Sequence, residues 1–233
     1  MEKYDNIILI VGGASGIGKA IAKKCAEAHY TVIITDKQEV KEKAPNVHFR
    51  KADVGKLEEV RELHRWIKEN FGPPDTMVIA AGQGIKGKLT EGDPIAWREV
   101  IDTNLMGPLH FARTFVPDMI ERKSGNVVFL SSVSAGQPFA YGGIYAATKT
   151  ALEVIAETLR LESLPLIKVT TISPGITNTN FFSNCIGGHA SVQEMAMGAI
   201  SAEEIAEDVF YCIHKRDGTC INKIVTRPMG QSF

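Results

Sequence analysis

The sequence predicts an α/β fold: a doubly wound, mostly parallel seven-stranded sheet with helices on both faces. Three observations predict it. Short runs rich in Val, Ile and Thr do not alternate with polar residues, as strands buried on both faces require. Stretches of helical length and period separate these runs along the whole chain. A glycine-rich turn, Gly12 to Gly18, joins the first run to the first helix. Right-handed crossovers then place helices on both faces of one sheet.

Ile7–Val11 is the first strand, and Gly12-Gly-Ala-Ser-Gly-Ile-Gly18 leads into a helix through Ala28. Thr31–Thr35 is the second, rich in β-branched residues and stopped by Asp36-Lys37, and Val47–Lys51 is the third. Leu57, Val60, Leu63 and Ile67 recur at helical spacing up to the breaker Gly72-Pro-Pro74. Thr76–Ala80 is the fourth strand, followed by a Gly-rich loop through Asp93-Pro94 and a long helix over about Ile95 to Arg122. Val127–Leu130 is the fifth strand, a helix covers roughly Gly143 to Ser163, and Lys168–Ile172 is the sixth. Ser201-Ala-Glu-Glu204 reads as a capping box opening a helix to about Lys215, and Ile221–Val225 is the seventh strand.

The 233 residues are 44% hydrophobic and 23% charged, the composition of an ordinary globular protein. No repeat, low-complexity tract or Pro/Ser-rich linker divides them, so one domain over 1–233 is expected. A formal charge of −1 offers no surplus of either sign to track a phosphate backbone or an anionic membrane, which argues against nucleic-acid binding. The longest apolar runs are about five residues, against the roughly 20 of a membrane span. No hydrophobic signal segment precedes Ile7, so the protein is expected to be cytoplasmic. Cys25, Cys185, Cys212 and Cys220 contain no Cys-x-x-Cys pair and read as buried or incidental thiols. The six histidines form no ligand cluster, and no metal site is expected.

In an open α/β sheet the ligand crevice lies beyond the carboxyl ends of the strands, where strand order reverses. Glycines at 12, 16 and 18 let the backbone approach a pyrophosphate there, and the helix N-terminus offers it free N–H groups. A tight turn without ligand is the alternative. Gly82-x-Gly84-x-x-Gly87 also has glycine-fingerprint spacing, but Lys88-Leu-Thr-Glu-Gly-Asp-Pro94 follows it and cannot open a helix at once. It reads as a loop bordering the crevice. Asp36 ends the second strand 20 residues beyond Gly16, where a carboxylate accepts from a ribose diol and repels a 2′-phosphate. That favours NAD, while Lys37 keeps NADP open; a solvated strand end is the other reading of Asp36.

Tyr145 and Lys149 share one helix face, and Tyr211 with Lys215 repeats the spacing. Only the first pair has hydroxyls near it, Ser131-Ser132 at the end of the fifth strand. With the glycine turn and Asp36, this order of motifs resembles the short-chain dehydrogenase/reductase family of the single-domain type. The resemblance covers nearly the whole chain and implies a Rossmann-type fold. It implies a catalytic tetrad of Asn104, Ser132, Tyr145 and Lys149. It also implies cofactor contacts from Gly12, Ser15, Gly16, Ile17, Gly18, Asp36, Asp53, Val54, Ala81, Gly82, Tyr145, Lys149, Pro174, Gly175, Thr177 and Thr179. Pro174 to Thr179 matches the segment that members place beside the nicotinamide.

The implied activity is hydride transfer between NAD or NADP and a small or medium alcohol or ketone, by a homodimer or homotetramer paired through the two long helices. Tyr145 would be the general acid/base, made more acidic by the Lys149 ammonium. Ser132 would bind the substrate oxygen, and Asn104 would hold a water relaying protons to Lys149. An NADP-dependent carbonyl reductase and a non-catalytic NAD-binding regulator are the competing readings. Phe139, Tyr141, Phe181, Phe182 and Met195 are candidate substrate contacts, with Gln137 and His189 as polar readers. Two positions depart from the family pattern: Val11 stands where members have Thr, and Ile79-Ala80-Ala81-Gly82 where they have Asn-Asn-Ala-Gly. Both changes replace polar groups by apolar ones, which reads as one local repacking.

Overall fold

The computed structural model describes residues 6–40, 44–188 and 197–232. Seven parallel strands form one sheet in the order β3-β2-β1-β4-β5-β6-β7. They are β1 Ile7–Val11, β2 Thr31–Asp36, β3 Val47–Lys51, β4 Thr76–Ile79, β5 Asn126–Leu130, β6 Lys168–Pro174 and β7 Lys223–Thr226. The order reverses between β1 and β4, which is where a Rossmann-type sheet opens its crevice.

The non-alternating strand sequences follow from burial on both faces. In β1, Ile7, Leu9 and Val11 enter one core with Met77, Ile79, Phe111 and Phe129, while Ile8 and Ile10 enter the other with Val78, Ile205 and Val209. Each such side chain withdrawn from water contributes about 1.5–3 kcal/mol, so both layers are needed to hold the central strands. Helices α2 (Leu57–Asn70), α4 (Gly107–Glu121) and α5 (Gly143–Glu162) cover the first core; α1 (Gly16–Glu27) and α6 (Ala202–Ile213) cover the second. The capping box is present: Glu204 N–H donates to Ser201 Oγ at 3.1 Å, and Ser201 N–H to Glu204 Oε2 at 2.7 Å.

The long helix expected over 95–122 is not continuous. Helix α3 (Pro94–Ile101), capped by Asp93, gives way to a π-helical turn at Asp102–Met106 before α4 begins. Pro108 lacks the N–H that would bond the Asn104 carbonyl in an α-helix. Gly107 meanwhile lies so close to Val54 that a Cβ would stand 2.8 Å from its Cγ2. The wider turn rotates Asn104 into the protein, where it is fully buried. β6 also runs two residues further than expected, to Pro174, because β7 pairs with it through Thr226.

Candidate active site

The carboxyl ends of β1, β2, β4, β5 and β6 border a cavity of about 490 Å³. At one end, α1 starts without a side-chain cap on its N-terminus and without an acidic residue in its first turn. Its free N–H groups and positive dipole end therefore face the cavity through Ser15, Gly16 and Ile17. Gly12 has φ +83°, and a Cβ on it would lie 2.5 Å from the Ala81 nitrogen; a Cβ on Gly18 would lie 2.1 Å from the Gly12 carbonyl oxygen. Larger residues at these positions would push the turn away from the loop after β4 and from its own backbone, so glycine is what lets the chain pass this close to the cavity. These residues suit a dinucleotide pyrophosphate, and every residue assigned to the cofactor from the sequence lines this cavity.

The two departures from the family pattern meet here. Ala80 N–H donates to the Val11 carbonyl at 2.8 Å, and Val11 shares a core with Ile79 and Ala81. Backbone pairing and apolar contact join the two loops. Asp36 sits on the cavity wall, its Oδ2 accepting from Ala14 N–H at 3.1 Å and its Oδ1 from Gln38 N–H at 2.9 Å. The carboxylate thus braces the glycine turn and carries charge into the cavity. Lys37 lines the wall beside it.

Tyr145 lies in the first turn of α5 and Lys149 one turn further on the same face. Ser132 follows β5 and caps a 3₁₀ turn, Val133–Ala135, by accepting from Ser134 N–H at 3.1 Å. Its hydroxyl donates to Ser134 Oγ at 3.1 Å and lines the cavity together with the Tyr145 phenol. Burial pushes the phenol up to about 12, the nearby Ser132 hydroxyl opposes this, and the Cys185 thiol adds to the rise. Burial pulls Lys149 down to about 8. Its Nζ donates to the Leu130 carbonyl at 2.8 Å and stands 5.8 Å from the centre of the Tyr145 ring.

The expectation of a phenol acidified by direct contact with the ammonium is therefore corrected. Desolvation dominates at both groups, and the lysine points to a backbone acceptor that it satisfies.

Asn104 is off the cavity wall. Its Oδ1 accepts from Gln83 N–H at 2.7 Å, and its Nδ2 donates to Gln83 O at 2.9 Å and to Thr148 Oγ1 at 3.1 Å. Both amide hydrogens are engaged, and Asn104 reaches the site through Gln83 and Thr148.

At the far end, Phe181 packs on Tyr145 with ring centres 5.5 Å apart, and Phe182 packs edge-on against Phe181. Phe139, Phe181 and Phe182 line the cavity as expected. Gln137 and Tyr141 are exposed and off its wall; His189 and Met195 lie outside the described residues. The second glycine tract forms a loop, not a helix start: Ile85 bridges Ile186, and Gln83 Nε2 donates to Asn184 O at 2.7 Å. That joins the loop after β4 to the segment after β6 over the cavity. Tyr211 is exposed, with the Lys215 ammonium 3.5 Å from its ring centre, and is not on the wall of this cavity.

Gln83 and Cys185 line the cavity wall within the loops after β4 and β6 that the sequence places there, without being singled out by it, and Gln231, also on the wall, was missed. Gln231 meets the cavity through a contact made across the fold, and no local pattern marks it. Among the described residues no group of three His, Cys, Asp or Glu side chains could hold a metal, and no helix is long and apolar enough to cross a membrane.

The family profile described as short chain dehydrogenase matches residues 6–186. An uncharacterized oxidoreductase of Staphylococcus aureus is 32% identical over 97% of this chain and 98% of its own, and one of Staphylococcus saprophyticus is 30% identical over 98% and 100%. Among solved structures, an alcohol dehydrogenase from Thermococcus sibiricus complexed with 5-hydroxy-NADP superposes with TM-score 0.84 at 25% identity, over 97% of each chain. The closed form of a serine dehydrogenase complexed with NADP+ has the same fold, with TM-score 0.90 at 24% identity over 97% of this chain and 96% of that one.

Proposed function

The chain belongs to the short-chain dehydrogenase family and is an oxidoreductase, and from that premise we propose that it moves a hydride between NAD and a small or medium alcohol or ketone. One observation carries the reading: Tyr145, Ser132 and Lys149 share a cavity with the uncapped N-terminus of α1. The bound dinucleotide supplies the hydride acceptor or donor; the protein has to hold it and manage one proton.

The α1 N-terminus and the glycine turn hold the pyrophosphate, and Asp36 takes the adenosine ribose. Ser132 fixes the substrate oxygen and stabilises charge developing on it. Tyr145 Oη takes the hydroxyl proton in oxidation and returns it in reduction. Lys149, cationic below about pH 8, provides positive charge behind the phenol. Asn104 positions the wall through Gln83. Phe139, Phe181 and Phe182 favour a substrate with apolar bulk.

NADP is a second reading with its own support, because Lys37 lines the wall beside Asp36 and related structures were solved with NADP-type ligands. A non-catalytic regulator is disfavoured by the presence of Tyr145, Lys149 and Ser132 on one wall. We also infer a single cytoplasmic domain over 1–233 that pairs with copies of itself through α4 and α5; Val154 and Leu161 of α5 are exposed, at 62% and 57%. The test is NADH absorbance with NAD+ and a panel of alcohols. Tyr145→Phe should abolish turnover and leave NAD+ affinity within about twofold, since an –OH is removed from the reacting end alone. Equal loss of rate and cofactor affinity would contradict the role given to Tyr145.

A further inference from the structure

The C-terminal turn reaches into the same cavity. β7 pairs with β6 as far as Thr226 opposite Pro174, and Gly175 N–H still donates to Thr226 O at 2.7 Å. Beyond that point the two strands separate. The chain turns at Pro228, closed by Gln231 N–H to Pro228 O at 3.0 Å. The Ile176 N–H then takes its acceptor from a side chain: Gln231 Oε1, at 2.9 Å and 55 residues away in sequence. The Ile176 carbonyl accepts from Ile200 N–H at 3.0 Å, and Ile200 O accepts from Asn178 N–H at 2.8 Å. Among the described residues, Gln231 is therefore the one side chain from outside the segment that bonds the backbone from Gly175 to Asn178.

Gln231 is 7% exposed and lines the cavity together with Ile176, Thr177 and Thr179. It also explains the glycine before Ile176. A Cβ on Gly175 would lie 2.2 Å from Gln231 Oε1, so any larger residue would expel the carboxamide. Gly175 is thus small for the sake of the C-terminal turn.

We propose that Gln231 is a positioning residue for the cofactor, fixing through the Ile176 N–H the 175–179 wall against which the nicotinamide half of the dinucleotide rests. The proposal builds on the nicotinamide-dependent function above. Removing Gln231 Oε1 leaves the Ile176 N–H without an acceptor in a buried place, which loosens that wall and leaves Asp36, at the end of β2 four strands away from β6, untouched.

The test compares two ligands on the full chain by calorimetry: whichever of NAD+ and NADP+ the unmodified protein binds more tightly, and its adenosine half alone, ADP or the 2′-phosphate of ADP. Gln231→Leu is expected to weaken the dinucleotide about tenfold and the adenosine half less than about twofold. Gln231→Met carries the same comparison if the leucine variant does not fold. Unchanged dinucleotide affinity, or equal weakening of both ligands, would overturn the proposal while leaving the proposed function standing. Failure of the unmodified chain to bind either dinucleotide would overturn the proposed function, and this inference with it.

Discussion

Asn104 exchanges two hydrogen bonds with the backbone of Gln83, accepting from its N–H at 2.7 Å and donating to its carbonyl at 2.9 Å. A side-chain amide thereby does for the loop after β4 what a neighbouring strand would do. The π-helical turn Asp102–Met106 is what brings it there, and Thr148 of α5 receives the remaining amide hydrogen. Three elements meet on one buried side chain.

Asn104→Ala should therefore destabilise the ligand-free protein by about 2 kcal/mol in urea unfolding, because Gln83 loses both partners at once. Asn104→Asp, which keeps the acceptor for the Gln83 N–H, should fall between. A variant fully stable yet inactive would assign Asn104 a chemical role instead of a bracing one.

Lys149 makes stability depend on alkaline pH. Burial lowers its pKa from 10.5 to about 8, so between these values the unfolded chain binds more protons than the folded one. Stability then rises with pH across that window, and this contribution is lost as pH falls through about 8. Measured against Lys149→Met, the unmodified protein should gain about 2 kcal/mol between pH 7 and pH 10. A flat difference in paired unfolding curves would mean that the amine is solvated.

Asp36 should govern cofactor choice by charge. Asn at this position keeps one oxygen for the backbone N–H groups of the turn and removes the repulsion toward a 2′-phosphate. Asp36→Asn is expected to raise the ratio of NADP+ to NAD+ affinity about tenfold, equivalent to about 1.4 kcal/mol. Tighter NADP+ than NAD+ binding by the unmodified protein would overturn the NAD assignment.

Thr35 Oγ1 is fully buried without a hydrogen-bond partner among the described residues, and Thr35 is the register neighbour of Val11. The polar-to-apolar change at position 11, inferred from the resemblance, thus leaves a hydroxyl beside an isopropyl group. Thr35→Val should stabilise the protein by about 1 kcal/mol by removing that unsatisfied group. Thermal melting checks it, and a lowered midpoint would reveal a partner for the hydroxyl.

Alternation of strands and helices, the glycine turn and the placing of Tyr145, Lys149 and Ser132 at one rim were all legible from the chain. Periodicity and turn chemistry are local properties, and the doubly wound connection then leaves few ways to arrange the layers. Gly107-Pro108 was a readable warning that the long helix breaks at Asn104, since a missing N–H is written in the residue type. The amine of Lys149 turning to Leu130, the Asn104–Gln83 bracket and the reach of Gln231 to Ile176 were not legible. Each joins residues whose separation along the chain carries no pattern. A buried polar group takes whichever partner the assembled layers bring within about 3 Å, and the strength of desolvation depends on everything packed around it.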